Sequence, residues 1–267
     1  METKIKYFHM EETTSTSAVI TELESQCPAG GMLVVWADYQ SAGRGQRGNK
    51  WVSAKGQNLL FSVLLRPQGV SVDRQFRLSQ AMAIAEASAL TEIVRAERKS
   101  QSPLSQSETE TVKIKWPNDL YYGYRKLGGI IIETTLRQRS VARCVLGMGI
   151  NVNQQTFPAD APNPVSLFQI IGREWDRESL LCAIIQRFVE WERRVEQGDD
   201  VLVAEAYRQR LLWSEGFHSY VDKDGLFSAR MVDIQPDGHL ILEDSDGRTR
   251  SYLFKEVKHV FPTVISE

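Results

Sequence analysis

A continuous apolar run at residues 32–37 and a second strand-like run at 59–65, apolar but for Ser62, bracket a polar, glycine-rich stretch at residues 38–56. Runs of that length suit strands buried on both faces, so the stretch between them joins strand to strand. Within it Gly43, Gly45 and Gly48 have the spacing of the dinucleotide fingerprint, and Gly43 and Gly48 alone have that of a phosphate-binding Walker loop. Both motifs work by aiming a helix N-terminus or its preceding loop at phosphate. Here Lys50-Trp51-Val52 leads into another strand, and Asn49, Lys50 and Trp51 follow Gly48 where a Walker loop needs Lys and Ser or Thr. What survives is a flexible loop of bare amides interleaved with Arg44, Arg47 and Lys50, with no acid between Asp38 and Asp73. That composition suits an anion cradle. A solvated basic turn is the ordinary alternative.

The rest of the chain supplies strands and helices around that loop. Residues 4–10 read as a first strand, and the Thr/Ser cluster at 13–17 offers N-cap hydroxyls to a helix over 18–25. Phe76, Ala83, Ile84, Ala87, Leu90, Ile93 and Val94 recur at helical spacing, which predicts one long core helix over 71–97. Residues 99–110 are too polar to bury and read as a mobile surface loop. Strands return at 112–116, 126–135 and 141–150, with 119–125 turning between the first two; Asp176 caps a helix, and another covers 201–212. From Gly216 onward short alternating runs are separated by Asp-Gly pairs at 224–225, 237–238 and 246–247, the pattern of a small β-barrel. The expected division is therefore a larger domain at 1–214 and a smaller one at 215–267.

Charge and cysteine usage narrow the class. A net charge of −2 over 267 residues advertises no polyanion partner. Cys27, Cys144 and Cys182 are odd in number and lack CxxC spacing, so they read as buried thiols of a reducing compartment. The first residues carry no apolar signal core, and no stretch reaches the ~18 apolar residues of a membrane helix. A cytoplasmic protein with no membrane partner is expected.

Three further clusters carry chemistry. Lys115-Trp116-Pro117-Asn118-Asp119 ends a strand, where α/β sheets commonly place ligands. Seven residues past Asp119, Lys126-Leu127-Gly128-Gly129 opens the next strand, and a hairpin would bring Lys126 beside Asn118 and Asp119. Gly147-Met148-Gly149-Ile150-Asn151-Val152-Asn153 ends a third strand with glycines that permit close approach and amides that can donate and accept. Taken singly, each also fits an ordinary turn, surface lysine or strand-ending bend.

Taken together with Thr14-Ser15-Thr16-Ser17 and Tyr39-Gln40-Ser41-Ala42-Gly43-Arg44-Gly45, these clusters resemble the biotin protein ligases in order and spacing over about residues 5–155. The resemblance implies an α+β fold: a mixed β-sheet catalytic domain flanked by helices, like class II aminoacyl-tRNA synthetases, with a small C-terminal SH3-like β-barrel. It implies ATP-dependent activation of biotin to biotinyl-5'-AMP, then transfer to a lysine of a biotin carboxyl carrier protein, with Mg²⁺ neutralising the departing pyrophosphate. By the same resemblance Ser15, Thr16, Ser17 and Gln40, with Arg44, Gly45 and Gln46 of the loop, surround biotin. Lys126 lies at its carboxylate. Arg47, Trp51, Asn118, Gly129 and Asn151 would serve the adenylate, with Asn151 at the adenine edge. Lys126, Arg44 and Asp119 form the implied catalytic set, Asp119 being either an Mg²⁺ ligand or a base for the incoming amine.

Departures from the family pattern are local. Gln46 and Asn49 stand where many members carry arginines, and Ser17 where asparagine is frequent. Weaker charge-based retention of the adenylate is expected. Fewer than fifteen residues precede Ser15, too few for the DNA-binding domain that some members carry, so no DNA partner is expected; dimerisation is common in the family. Two rivals stay open: a lipoate- or octanoate-transferring relative, whose pocket would be a plain apolar tunnel, and a non-catalytic biotin-binding module, which would have no need of Lys126 or a phosphate cradle.

Overall fold

A computed structural model of the chain describes residues 3–45, 49–101 and 111–262. Seven strands form the larger sheet: β1 (Ile5–Met10), β2 (Met32–Ala37), β3 (Leu59–Leu65), β4 (Val112–Lys115), β5 (Asp119–Tyr122), β6 (Arg125–Arg137) and β7 (Ser140–Ile150). Their spatial order is β1-β2-β3-β7-β6-β5-β4. Only β1 and β2 run parallel, and every other neighbouring pair is antiparallel, so the sheet is mixed as expected. Strand β3 is buried along its whole length, as suits a central strand apolar at every position but Ser62.

Helices cover the two faces unequally. The short α1 (Thr16–Glu22) makes the β1-to-β2 crossover and seats Ile20 against Leu33, Val35, Leu64 and Val145. On the other face α2 (Phe76–Gln101) is backed by α4 (Arg177–Gln197) and α5 (Asp200–Arg210), and its residues Ala81 to Ala85 are buried without a break. Between β7 and α4 lies α3 (Leu167–Ile171). No helix is long and apolar enough to cross a membrane among the described residues.

Four expectations need correction. Residues 119–122 form strand β5 and not a turn: Leu120 and Tyr121 are buried between β4 and β6, and the chain reverses only at Gly123, whose φ of +55° suits glycine. Helix α2 runs on to Gln101, so the polar segment begins later than 99; residues 102–110 lie outside the described ones. The 13–17 hydroxyls do not cap α1: Ser15 occupies the N-cap position and makes no capping hydrogen bond. Of the three thiols only Cys144 is buried, Cys27 being half-buried and Cys182 exposed.

Residues 218–259 form a second, five-stranded antiparallel sheet, β8 (His218–Asp222), β9 (Gly225–Ile234), β10 (Leu240–Asp244), β11 (Thr249–Tyr252) and β12 (Lys258–His259), in the order β11-β10-β9-β8-β12. Its turn at Gly238 rests on the larger domain. The Trp116 indole donates to the Gly238 carbonyl at 3.1 Å, and Phe254 meets the same indole edge-on.

Candidate functional site

Beyond the end of α1, the α1 face of the large sheet is bare at three glycines, which lie among Ser62 and Leu60 of β3 and Ile131 of β6. Val145 packs under α1, and the next residues of β7 on that face are Gly147 and Gly149. Gly147 pairs with Ser62 on β3 and Gly149 with Gly129 on β6, which itself pairs with Asp119 on β5. A trough results whose floor is backbone at these glycines, and its walls leave no room there for a methyl group. A Cβ on Gly147 would come 2.9 Å from Ser17 Oγ, one on Gly149 would come 2.6 Å from the Trp51 indole, and one on Gly129 2.9 Å from Asp119 Oδ1.

One end of the trough is a knot of neutral polar groups. The Thr16 amide and hydroxyl both donate to Gln40 Oε1, at 2.7 and 3.1 Å. Ser62 Oγ then sits 2.8 Å from the Thr16 hydroxyl and 3.1 Å from that of Ser17. Ser15, Thr16 and Ser62 are all buried. The structure thus brings together Thr16, Ser17 and Gln40, and adds Ser62, which sequence reasoning passed over as one residue of an apolar strand.

At the other end a charged pair faces the glycines. Lys126 Nζ lies 2.8 Å from Asp119 Oδ1, with both side chains about three-quarters buried, as the hairpin spacing anticipated. The same ammonium is 5.9 Å from the centre of the Trp51 ring. Lys115 pairs across β4 and β5 with Asp119 and faces Tyr121; burial pulls its pKa down, with Asp119 opposing and Lys126 assisting. From the second sheet comes His259, whose imidazole is held neutral, its pKa lowered to about 3 by burial and by the charges of Lys115 and His218.

Between the two ends stands the arginine–glycine loop. Its stem is a short hairpin closed by Gly45 N–H to Asn49 O at 2.6 Å and Trp51 N–H to Gly43 O at 3.0 Å. Gly43 is required there, since a Cβ would meet the Trp51 carbonyl at 2.4 Å. The stem lays the Trp51 indole on Gly149, with its Nε1 buried and without a hydrogen-bond partner. Arg44 reaches over β6 to within 4.0 Å of Glu133, both well exposed. Gln46, Arg47 and Gly48, the loop tip, lie outside the described residues.

The remaining asparagines hold the frame. Asn118 is buried and its amide donates to the carbonyl of Ile130, tying the end of β4 to β6. Asn151 Nδ2 donates to the Val165 carbonyl at 3.1 Å, and Asn153 exchanges two bonds with the Trp175 backbone. Asn58, fully buried and also passed over, bridges Ser53, Gln154 and the Val152 amide, which fixes the loop's exit to the end of β7. Among the described residues no group of three or more His, Cys, Asp or Glu side chains could hold a metal ion.

Residues 9–151 match the model of the biotin/lipoate A/B protein ligase family. The bifunctional ligase/repressor BirA of Bacillus subtilis is 29% identical over 250 residues, covering 90% of this chain and 70% of that protein. The biotin–[acetyl-CoA-carboxylase] ligase of Mycobacterium tuberculosis is 29% identical over 258 residues, covering 93% and 87%. In fold, the chain superposes on biotin protein ligase from Aquifex aeolicus, solved with biotin and ATP, with a TM-score of 0.71 at 22% identity, covering 95% and 99% of the two chains. The matched segment runs from β1 through the Ser/Thr knot, the arginine–glycine loop and the Lys126 hairpin to Asn151, more than half of the sequence. The chain belongs to the biotin/lipoate A/B protein ligase family.

Proposed function

We propose that the chain is a biotin protein ligase: it joins biotin and ATP to give biotinyl-5'-AMP and pyrophosphate, then passes the biotinyl group to a lysine of a biotin carboxyl carrier protein. The observation that carries this reading is the trough's polarity. Neutral hydroxyls and an amide gather at one end and an ammonium–carboxylate pair at the other, separated by Gly147 and Gly149, about 7 Å of strand. That spacing suits a ligand with a neutral polar ring and a carboxylate tail. A ureido ring offers two donors and one acceptor, which Ser15, Thr16, Ser17 and Gln40 can answer. An apolar dithiolane ring would leave them unanswered, which favours biotin over lipoate.

In the first step a biotin carboxylate oxygen attacks the α-phosphorus of ATP and pyrophosphate leaves. Lys126 holds the carboxylate and balances charge as it transfers, with Asp119 orienting the ammonium. By charge, Arg44 and Arg47 would balance the phosphates. Trp51 walls the mixed anhydride on Gly149 and keeps water from it, and Gly129 admits it beside Lys126. Because Asn151 Nδ2 is committed to Val165, its carbonyl oxygen is left for the adenine amino group, and Asn118 serves by holding this wall. Magnesium enters with ATP as part of the substrate: one carboxylate, Asp119, fits an ion bound chiefly by phosphates. In the second step the carrier lysine amine attacks the acyl carbon, AMP leaves, and the amine sheds a proton, for which Asp119 is the nearby base. We read 1–214 as the catalytic unit and 215–267 as a small SH3-like barrel bracing it, in a cytoplasmic enzyme.

The test is direct. Incubation with ATP, Mg²⁺, labelled biotin or lipoate and a biotin-carrier domain should label the carrier lysine with biotin. Lipoate transfer would assign the chain to the other branch, and no transfer would make it a binding module. Lys126→Ala should abolish adenylate formation while biotin binding stays measurable.

A further inference from the structure

Across the large sheet from the trough, one guanidinium holds both ends of the arginine–glycine loop. Arg177, the first residue of α4, gives Nη2 to Asp38 Oδ1 at 2.8 Å and Nη1 to the Asn58 carbonyl at 3.3 Å. Asp38 follows β2 and Asn58 precedes β3, and the Gly56 amide donates to the Asp38 carbonyl at 2.9 Å, so the two ends of the loop meet here. The other Asp38 oxygen lies 3.2 Å from His9 Nε2, whose ring stacks on Trp36 at 4.0 Å, and the Arg177 guanidinium lies over the same indole. Trp36 packs into the core on the α2 and α4 side, whereas its neighbour Val35 packs under α1, so this cluster touches no part of the trough. The Arg177 and Asp38 side chains are only 18% and 21% exposed. Burial pushes the Asp38 carboxyl up, but the hydrogen bonds and charges of Arg177 and His9 outweigh it and hold its pKa below the ordinary value.

Arg177 does little for its own helix. Asp176 caps α4 by accepting from the Ser179 amide at 2.7 Å, and a cation in the first turn opposes the helix dipole. The hold is passed to the loop. Asn58 donates to Ser53 Oγ at 2.9 Å and to Gln154 Oε1 at 2.6 Å, and that Gln154 oxygen accepts from the Ala54 amide at 3.1 Å. The residues just after Trp51 are therefore fixed through Asn58. Building on the ligase reading above, we infer that Arg177 is a positioning residue for adenylation, which fixes the base of the loop from across the sheet and so keeps Trp51 seated on Gly149.

Arg177→Met keeps an aliphatic stem over Trp36 and loses both bonds. Amide exchange at Trp51, Ala54 and Gly56 should quicken about tenfold, with exchange in the second half of α4 unchanged. The kcat of adenylation should fall about tenfold and the biotin KM should stay within about twofold, because the hydroxyl knot lies on the other face. Asp38→Ala should act in the same direction, and the double variant should lose less than the product of the two single losses, because one bond is counted in both. Val195→Ala, a buried residue at the far end of α4, should lower the melting temperature and leave kcat unchanged, which separates the hold on the loop from a general loss of stability. Full kcat in Arg177→Met, a double variant whose losses simply multiply, or an equal loss of kcat in Val195→Ala would each overturn the assignment. A wild type that makes no biotinyl adenylate would overturn the ligase reading; the hold on the loop is read separately by exchange, and unchanged exchange at Trp51 in Arg177→Met would overturn that alone.

Discussion

A hydroxyl buried in the middle of an apolar strand must find a partner, and Ser62 finds two, Thr16 and Ser17. Both belong to the segment proposed to hold the biotin ring. Ser62→Ala would leave their hydroxyls free to turn away, so the biotin KM should rise about tenfold with kcat little changed, the cost of roughly one hydrogen bond. Steady-state adenylation kinetics check this, and a fall in kcat alone would place Ser62 in another role. Gly149 is a sharper case. A methyl group there would overlap the Trp51 indole at 2.6 Å, so Gly149→Ala should displace the indole and lower adenylation by about tenfold or more. Because Gly149 has no positive φ, its backbone conformation is open to alanine and the strain falls on the Trp51 loop; an unchanged Trp51 environment by fluorescence would contradict this. At this scale the charged and glycine-bearing residues were legible, because Lys126, Asp119, Gly147 and Gly149 stand in recognisable strings. Ser62 and Asn58 were not, because each is one polar residue against an apolar run, although a buried polar side chain within such a run is itself a sign of a partner elsewhere.

Among the elements, β2 and β3 could be read to the residue, since apolar runs, broken only by Ser62, between polar stretches leave little choice. β5 could not: its four residues carry an Asp and lead to Gly123, and only pairing with β4 and β6 makes them a strand. Helix α3 left a signal that was not used, a Ser166–Gln169 capping box followed by Gly172 in the left-handed conformation. Helix α4 carries an ionisable group at odds with its setting. Glu192 is buried, and burial followed by the charge and hydrogen bond of Glu196 raises its pKa to about 8. The unfolded chain releases this proton near the ordinary glutamate value of 4.5, while the folded chain keeps it until about pH 8. Stability therefore falls as pH rises through that window and levels off above it, by on the order of 2–4 kcal/mol. Glu192→Gln should remove this slope, so its melting temperature should gain on wild type by several degrees between pH 5 and 8. Parallel melting curves with pH would count against a buried, protonated Glu192. Glu86 on α2, wholly buried and without a hydrogen-bond partner, is displaced in the same direction by burial, so some slope persists in the variant.

Across the whole molecule, two separate elements converge on the segment that carries Asp119. Helix α5 donates the Tyr207 hydroxyl to the Pro117 carbonyl, and the second sheet receives the Trp116 indole on its Gly238 carbonyl. Backbone bonding from Leu212 to Ile114 fixes the start of the same stretch. The second sheet was legible from its Asp-Gly turns, but its docking was not, because no local pattern says which tryptophan a distant turn will meet. Trp116→Phe keeps the ring beside Phe254 and removes only the donor to Gly238. An unmatched carbonyl costs about 1–3 kcal/mol, which in a chain of this size is a fall of several degrees in melting temperature. Amide exchange should quicken at the β9–β10 turn, residues 235–239, and at 116–119 together, because the bond joins them. Adenylation should decline several-fold with biotin affinity nearly intact, since Asp119 orients Lys126 and the hydroxyl knot at the far end of the trough is untouched. Faster exchange confined to 235–239 with full activity would mean that the second sheet merely rests on the larger domain, and that Tyr207 alone steadies Asp119.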